Sequence, residues 1–192
     1  MHVGSIALSG GNKRRMTSLA GLVAALCLVF SGSAARGASF KFELATPAFR
    51  PGGTIPVPFT CSGVNMSPAL SWTAGPPRTV SFALIVDDPD APGGTWVHWV
   101  VYNLPATARQ LPERIPLGAA ITSGGRQGEN DFPTNGYGGP CPPPGKPHRY
   151  FFRLYALDTL LDLHGQVHRQ DIDAAMKGHI LAQTELMGTF GR

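Results

Sequence analysis

Two aspartates on a proline-punctuated turn, and a histidine on the strand behind them, form the first group of residues that could hold a ligand. The turn spans residues 88–92 (DPDAP) and carries Asp88 and Asp90. Each proline fixes its own φ and pushes the residue before it into extended geometry, so the turn holds both carboxylates rigidly. His98 follows nearby, and a buried imidazole needs a hydrogen-bond partner, for which a carboxylate is the strongest available.

A second histidine, His148, is likewise preceded by a turn-forming segment, here a loop rich in glycine and proline. Residues 136–145 contain four glycines and four prolines. Gly138 and Gly139 are candidate main-chain donors to an anion, since proline has no N–H group. His148 and Tyr150 follow at alternate positions and therefore emerge on one face of a strand. Two such units in one small domain predict a single pocket where both strands begin.

The chemistry of this set favours binding over catalysis. Two carboxylates suit an ammonium group, whereas two imidazoles, glycine amides and Tyr150 suit a phosphate or carboxylate. The sequence therefore predicts non-catalytic binding of a small phosphate-bearing or other anionic or zwitterionic ligand, such as a phosphoethanolamine head group. An interaction protein that inhibits a kinase or protease through the pocket rim is the alternative, and a hydrolase or lyase with an aspartate base is a third.

Each feature also has a plain structural interpretation. The aspartates can bond neighbouring main-chain amides in a local turn, a lone strand histidine is most often a satisfied core residue, and the loop can be a stiff connection. A metal site is not expected, because CxxC and HxH spacings are missing and the two histidines lie fifty residues apart. No serine lies in a GxSxG turn, which leaves Cys141 as the candidate nucleophile.

The elements that must position these groups are mostly strands. Strongly apolar runs at 80–86, 96–104 and 150–157 predict core strands. Alternation along the second run places five side chains on one face: Trp96, His98, Val100, Tyr102 and Leu104. Weaker patterns predict a first strand at 40–44, an edge strand at 54–60, at most a short strand at 117–122, and helices at 172–177 (N-cap Asp171) and 179–187. Together they predict a β-sandwich or β-rich domain with a few small helices.

The first 35 residues have the pattern of a secretory signal peptide. A basic cluster at 13–15 precedes an apolar run at 19–30, and small residues at 33–35 suit cleavage. An uncleaved membrane tether is the alternative. We therefore expect an exported protein, periplasmic or secreted, with a single domain at 36–192. Without the leader thirteen basic residues face twelve acidic ones, so nucleic acid is not an expected partner.

Export would leave two cysteines, Cys61 and Cys141, in a compartment that permits disulfides. The sequence predicts that they pair, with two buried thiols as the alternative.

Two long segments resemble the signature regions of the phosphatidylethanolamine-binding protein family, specifically its bacterial, Raf-kinase-inhibitor-like branch. They are DDPDAPGGTWVHWVVYNLP at 87–105 and GYGGPCPPPGKPHRYFFRLYALD at 136–158. Further similar stretches lie at 59–72, 128–140 and 178–190, so the resemblance covers residues 40–192.

The resemblance implies a mainly β fold, an antiparallel β-sandwich with short helices toward the C-terminus, and an anion-binding cavity with no settled reaction. It implies seven ligand-binding residues: Asp88, Asp90, His98, Gly139, Pro140, His148 and Tyr150. No cofactor is implied. A small anionic or zwitterionic ligand is the expected partner, while a protein partner and a homodimer are left open.

Overall fold

The computed structural model describes residues 41–192 of the chain. The signal-peptide prediction for residues 1–35, and the start of the strand predicted at 40–44, lie outside that part. Eight strands and one α-helix follow in chain order: β1 (Leu44–Ala45), β2 (Leu70–Trp72), β3 (Ser81–Asp88), β4 (Trp96–Pro105), β5 (Gln110–Leu111), β6 (Arg126–Gly128), β7 (His148–Leu157), α1 (Arg169–Met176) and β8 (Ile180–Phe190).

The strands form two antiparallel sheets. The larger has the order β6-β4-β3-β7-β8, and the smaller has the order β1-β2-β5. All eight residues of β3 are buried, as expected of a central strand covered on both faces. This architecture confirms the predicted mainly β, antiparallel sandwich. Within residues 41–192, no helix is long and apolar enough to cross a lipid bilayer.

Two apolar clusters cover the two faces of the five-stranded sheet. The cluster between the sheets joins Phe82, Trp99 and Phe152 to Leu70 and Trp72 of the smaller sheet. The cluster on the opposite face packs the sheet against α1 and the segment before it; its members include Ile85, Val100, Leu161, Ile172 and Met176. The sheet is therefore buried on both sides, which gives the ends of β3, β4 and β7 a rigid base.

Two irregularities in β4 overturn part of the predicted alternation. Val86 pairs with Trp99 and Asp87 pairs with Val97, so His98 is an extra residue between two ladder pairs. A second register shift lies near Asn103, whose φ is 56°. As a result Val100 and Tyr102 pack in the α1-side cluster whereas Leu104 packs between the sheets. The five side chains assigned to one face, at alternate positions from Trp96 to Leu104, therefore do not share a face, because each bulge reverses the alternation that follows it.

The C-terminal segment is the largest departure from the sequence-based expectation. Residues 179–187 were predicted to be helical, but β8 pairs with β7 from Phe190↔His148 to Ile180↔Leu157. The local pattern around Ile180 and Leu186 resembles a helix, yet pairing along a whole strand outweighs a weak local preference.

The remaining elements are corrected in detail. Thr54 makes an isolated bridge to Thr189 and residues 57–59 form a 3-10 turn, so the edge strand predicted at 54–60 is wrong. The helix α1 begins at Arg169 after the N-cap His168; Asp171 closes the capping box from the third helical position. The first strand is Leu44–Ala45, and two-residue β5 and three-residue β6 lie where few strand signals were present.

Asp87 fastens α1 to the sheet. Its side chain is buried, and its carboxylate bonds Arg153 of β7 and Arg169 of α1. Adjacent residues on a strand point to opposite faces, so Asp88 is directed away from this network. The first of the three aspartates in the 87–90 segment is thus structural, and the second is free to serve a site on the other face.

Candidate functional site

Asp88 and His148 form a hydrogen-bonded pair where two neighbouring strands meet. Asp88 ends β3 and His148 begins β7; since these strands are antiparallel neighbours, their ends adjoin. The Nδ1 atom of His148 lies 2.7 Å from Oδ2 of Asp88, with side chains only 12% and 4% exposed. The other carboxylate oxygen accepts the N–H of Asp90 at 2.8 Å. The predicted local turn therefore coexists with a histidine contact on one carboxylate, but the histidine is His148 and not His98, the one that the sequence pattern indicated.

His98 is directed into the site by the bulge in β4. The imidazole is 2% exposed, and Nδ1 lies 2.6 Å from the carbonyl oxygen of Gly138. A carbonyl only accepts, so Nδ1 carries the hydrogen. Burial lowers the pKa of His98, which keeps the ring neutral and leaves Nε2 with a lone pair.

The two histidines and Asp88 line one hollow of about 220 Å³. Its other walls are largely apolar, formed by Ala91, Pro92, Trp96, Phe132, Cys141, Pro142 and Pro143. The structure thus brings together two segments that are fifty residues apart in sequence, at one solvent-reachable depression. Three polar side chains inside apolar walls can orient a small polar group while excluding most of the water around it.

Tyr150 lies behind the hollow rather than in its lining. It is buried, and its ring meets that of His98 edge to face at a centroid distance of 5.2 Å. Within residues 41–192 its hydroxyl makes no hydrogen bond of good geometry, although the Asp88 carboxylate is near enough to interact with it. Burial, aided by the negative charge of Asp88, raises the pKa of Tyr150, so the hydroxyl keeps its proton. A buried donor without a partner is costly, and it is consistent with a group that a ligand or water completes.

Asp90 lies beside the hollow and is occupied by Arg149. Its carboxylate accepts three hydrogen bonds from that one residue, from the main-chain N–H, Nε and Nη2, at 2.9, 2.9 and 2.7 Å. These bonds lower the pKa of Asp90 to about 2. Asp90 therefore anchors the turn to β7, and a direct ligand contact would require this pair to open.

Replacing Arg149 with glutamine should return the pKa of Asp90 from about 2 toward the ordinary aspartate value. A carboxyl with a depressed pKa stabilises the fold above its unfolded pKa, near 4, and loses that contribution as the pH falls toward 2. Carboxyl-carbon NMR titration between pH 1.5 and 6 would measure the midpoint. Lys177→Gln, which removes an exposed cation elsewhere, serves as the control; an unmoved Asp90 midpoint in the Arg149 variant would contradict the assignment.

The glycine amides that were expected to receive an anion are already bonded within the protein. Gly138 donates its N–H to the carbonyl oxygen of His98 at 2.8 Å, and Gly139 donates to Oδ1 of Asn65 at 2.7 Å. Pro140 is buried and its carbonyl accepts from Cys61. The prediction of free donors at positions 138 and 139 is wrong. Gly138 and Gly139 instead line a neighbouring depression, and Cys141 belongs to the wall that this depression shares with the hollow.

The disulfide bond reinforces that wall. Cys61 and Cys141 are bonded, with their Cα atoms 5.3 Å apart. Cys141 itself lines the hollow. The bond therefore ties the loop after Gly139 to the segment that follows the 3-10 turn, and it removes the candidate nucleophilic thiol.

Sequence reasoning missed the aromatic rim. Trp96 and Phe132 are 39% and 37% exposed, and their rings meet edge to face at 5.4 Å beside the mouth. Phe132 also packs against His98 at 5.4 Å. Trp96 was assigned only to a strand face, and Phe132 lay in a motif used for the resemblance alone. Asp131, whose carboxylate accepts the N–H of Val97 at 2.7 Å, fixes this rim to β4.

The fold and the site define a class: a two-sheet antiparallel β domain with a small pocket at the strand ends, built on an aspartate–histidine pair and a second imidazole. Residues 45–191 match the family model described as phosphatidylethanolamine-binding protein. The chain belongs to the phosphatidylethanolamine-binding protein family.

Relatives and solved structures agree with this assignment. A UPF0098 protein of Methanothermobacter thermautotrophicus is 50% identical, over 78% of this chain and 99% of the relative, and one of Aquifex aeolicus is 46% identical, over 78% and 88%. The structure of a Chlamydia trachomatis protein described as a putative family homologue matches with 42% identity and a TM-score of 0.71, covering 79% and 97% of the two chains. Escherichia coli YbcL, described as a member of the mammalian family, matches with 34% identity and a TM-score of 0.73, covering 80% and 99%. Membership supports a ligand-binding or regulatory role in general terms.

Proposed function

We propose that this domain binds a small phosphate-bearing or other anionic or zwitterionic group, of the phosphoethanolamine type, without transforming it. The observation that carries the proposal is the convergence of the Asp88–His148 pair and His98 on one hollow. A volume of about 220 Å³ is below the roughly 300–1,000 Å³ typical of pockets for drug-sized ligands. The size therefore favours a head group.

The two imidazoles offer complementary chemistry. Asp88 holds the Nδ1–H of His148, so a protonated His148 presents its Nε2–H as a charge-assisted donor to a phosphate oxygen. His98 is neutral and its Nε2 lone pair accepts from an ammonium group. The apolar walls strengthen both interactions by lowering the local dielectric. A zwitterion would satisfy both rings at once.

Imidazole NMR signals of the domain should respond selectively to phosphate and phosphoethanolamine. We expect shifts at His98 and His148 in the wild type, loss of the His98 response in His148→Ala, and unaltered responses of both rings in His179→Ala. His179 is a matched control, because it also bonds an aspartate through Nδ1, at 2.9 Å from Asp158, at the other end of β7. Shifts confined to other histidines would overturn the proposal. Turnover of a phosphoester that is lost in Asp88→Asn would overturn its non-catalytic part.

A second candidate is inhibition of a kinase or protease through the pocket rim. The exposed Trp96–Phe132 pair favours it, since exposed aromatic residues are frequent anchors of protein interfaces. Kinases and proteases from the envelope fraction would be assayed with the domain and its variants. Inhibition lost in Phe132→Ser but kept in His148→Ala would support this function, and inhibition by neither the domain nor its variants would exclude it.

We further propose that the domain is exported and works in the periplasm or outside the cell. The leader pattern of residues 1–35 supports this. The bond between Cys61 and Cys141 agrees with it, because structural disulfides persist in oxidising compartments. Fractionation of cells that express the full chain would test it; recovery with the cytosol at full length would refute it.

A further inference from the structure

The lining of the hollow lacks a net positive charge. His148 is already paired with the Asp88 carboxylate, and burial lowers the pKa of His98, which keeps that ring neutral. A phosphate group carries roughly −1.5 to −2 at neutral pH, so the lining alone leaves that charge uncompensated. Arg149 does not supply the difference, since its guanidinium is engaged by Asp90.

The side chain of Arg192 lies against the wall of this hollow. Its Nε donates to the carbonyl oxygen of Pro142 at 2.7 Å, and Pro142 lines the hollow. The main-chain oxygen of Arg192 lies 3.3 Å from the N–H of Gly145, so the same loop is held twice. Gly191 packs closely on Pro147: a Cβ added at position 191 would lie 3.1 Å from the Cα of Pro147. The guanidinium is therefore placed by the loop that walls the pocket.

The guanidinium of Arg192 is also available to interact with a ligand. None of the ion pairs formed within residues 41–192 includes it. Burial raises the pKa of Tyr150, and the positive charge of Arg192 opposes that rise.

We propose that Arg192 is the specificity-determining cation of this hollow, whose guanidinium attracts and neutralises the anionic group held between the imidazoles. Nε is committed to Pro142, so the two Nη atoms carry the remaining donors. The inference rests on the proposed binding function and adds the residue that sets its preference for anions over cations. Sequence motifs gave no signal for it, because Arg192 lies more than forty residues beyond His148.

The test compares Arg192→Gln, Arg192→Lys and Lys146→Gln by calorimetric titration with phosphate, phosphoethanolamine and ethanolamine. Lys146 is the matched control, since it is an exposed cation in the same loop. For phosphate we expect about a tenfold rise in Kd for Arg192→Gln, the usual loss for one charge-assisted contact. Lys146→Gln should change Kd less than about twofold and Arg192→Lys should recover part of the loss. Ethanolamine binding should not weaken.

Salt dependence separates a charge effect from loosening of the loop. If the Arg192 charge acts on the ligand, the slope of log Kd against log salt for phosphate should be shallower in Arg192→Gln than in the wild type. A merely structural role would weaken phosphate and ethanolamine alike, with an unchanged slope, and would overturn the inference. Equal Kd values for wild type and Arg192→Gln, or equal losses in Arg192→Gln and Lys146→Gln, would also overturn it. Absence of phosphate binding in the wild type would instead refute the proposed function.

Discussion

Replacing Cys61 and Cys141 together with alanine should lower the free energy of unfolding by roughly 4–5 kcal/mol, the chain-entropy value for a long closed loop. The cysteines are 80 residues apart in sequence, and the bond closes a loop that contains β2 to β6. Without it the unfolded chain regains the freedom of that whole segment. Urea unfolding, followed by tryptophan fluorescence and by circular dichroism, would measure the change from the midpoint and the slope.

Reduction provides the control for this experiment. A thiol reductant should destabilise the wild type by a similar amount and leave the double alanine variant unchanged. If the variant unfolds at the wild-type midpoint, the bond contributes nothing to stability. Because Cys141 lines the hollow, the variant should also bind phosphoethanolamine more weakly than the wild type at a urea concentration where both are folded.

The core strands were predictable because burial leaves a strong signal in sequence. The apolar run at 80–86 overlaps β3 from Ser81 onward, and the run at 150–157 lies within β7. β3 is covered on both faces, so nearly every residue is apolar and the pattern does not depend on register. In β7 buried residues alternate with half-buried ones, which leaves the two-residue period of a strand. Loop chemistry was equally informative: proline and glycine placed the turns before both histidine strands, and those turns bring Asp88 and His148 together.

The unpredicted features depend on contacts between distant segments. The bulge at His98 arises from how β4 pairs with β3, and the residue type at position 98 does not predict it. The strand β8 has a helix-like local pattern that its pairing with β7 overrides. Arg149 donates hydrogen bonds to Asp90, 59 residues away in sequence, and Asn65 accepts the N–H of Gly139, 74 residues away. Residue types suggested which groups could bind a ligand, but tertiary contacts decided which remain available.

Gly139 illustrates that distinction. The family resemblance assigns it to ligand binding, whereas in the structure it is closely packed against other residues of the protein. A Cβ at this position would lie 2.4 Å from the carbonyl oxygen of Phe59, 2.6 Å from Oδ1 of Asn65 and 2.9 Å from Cα of Thr60. Two of the three are backbone atoms, which cannot rotate away. The close approach of the 138–141 loop to residues 59–61 therefore requires glycine.

Gly139→Ala should consequently destabilise the fold by about 3 kcal/mol, the upper part of the usual range for overpacking a buried site. Gly93→Ala is the matched control: Gly93 directly follows Pro92, which lines the hollow, and a Cβ at this position would meet nothing within 4 Å. There the methyl group only restricts the unfolded chain, so the fold should be stabilised by up to about 0.5–1 kcal/mol. Opposite shifts of the urea midpoint would show that Gly139 is retained for close packing. Equal stability of the two variants, with weaker phosphate binding in Gly139→Ala alone, would return Gly139 to the ligand-binding set, because the added methyl group would then act on the ligand and not on the wall.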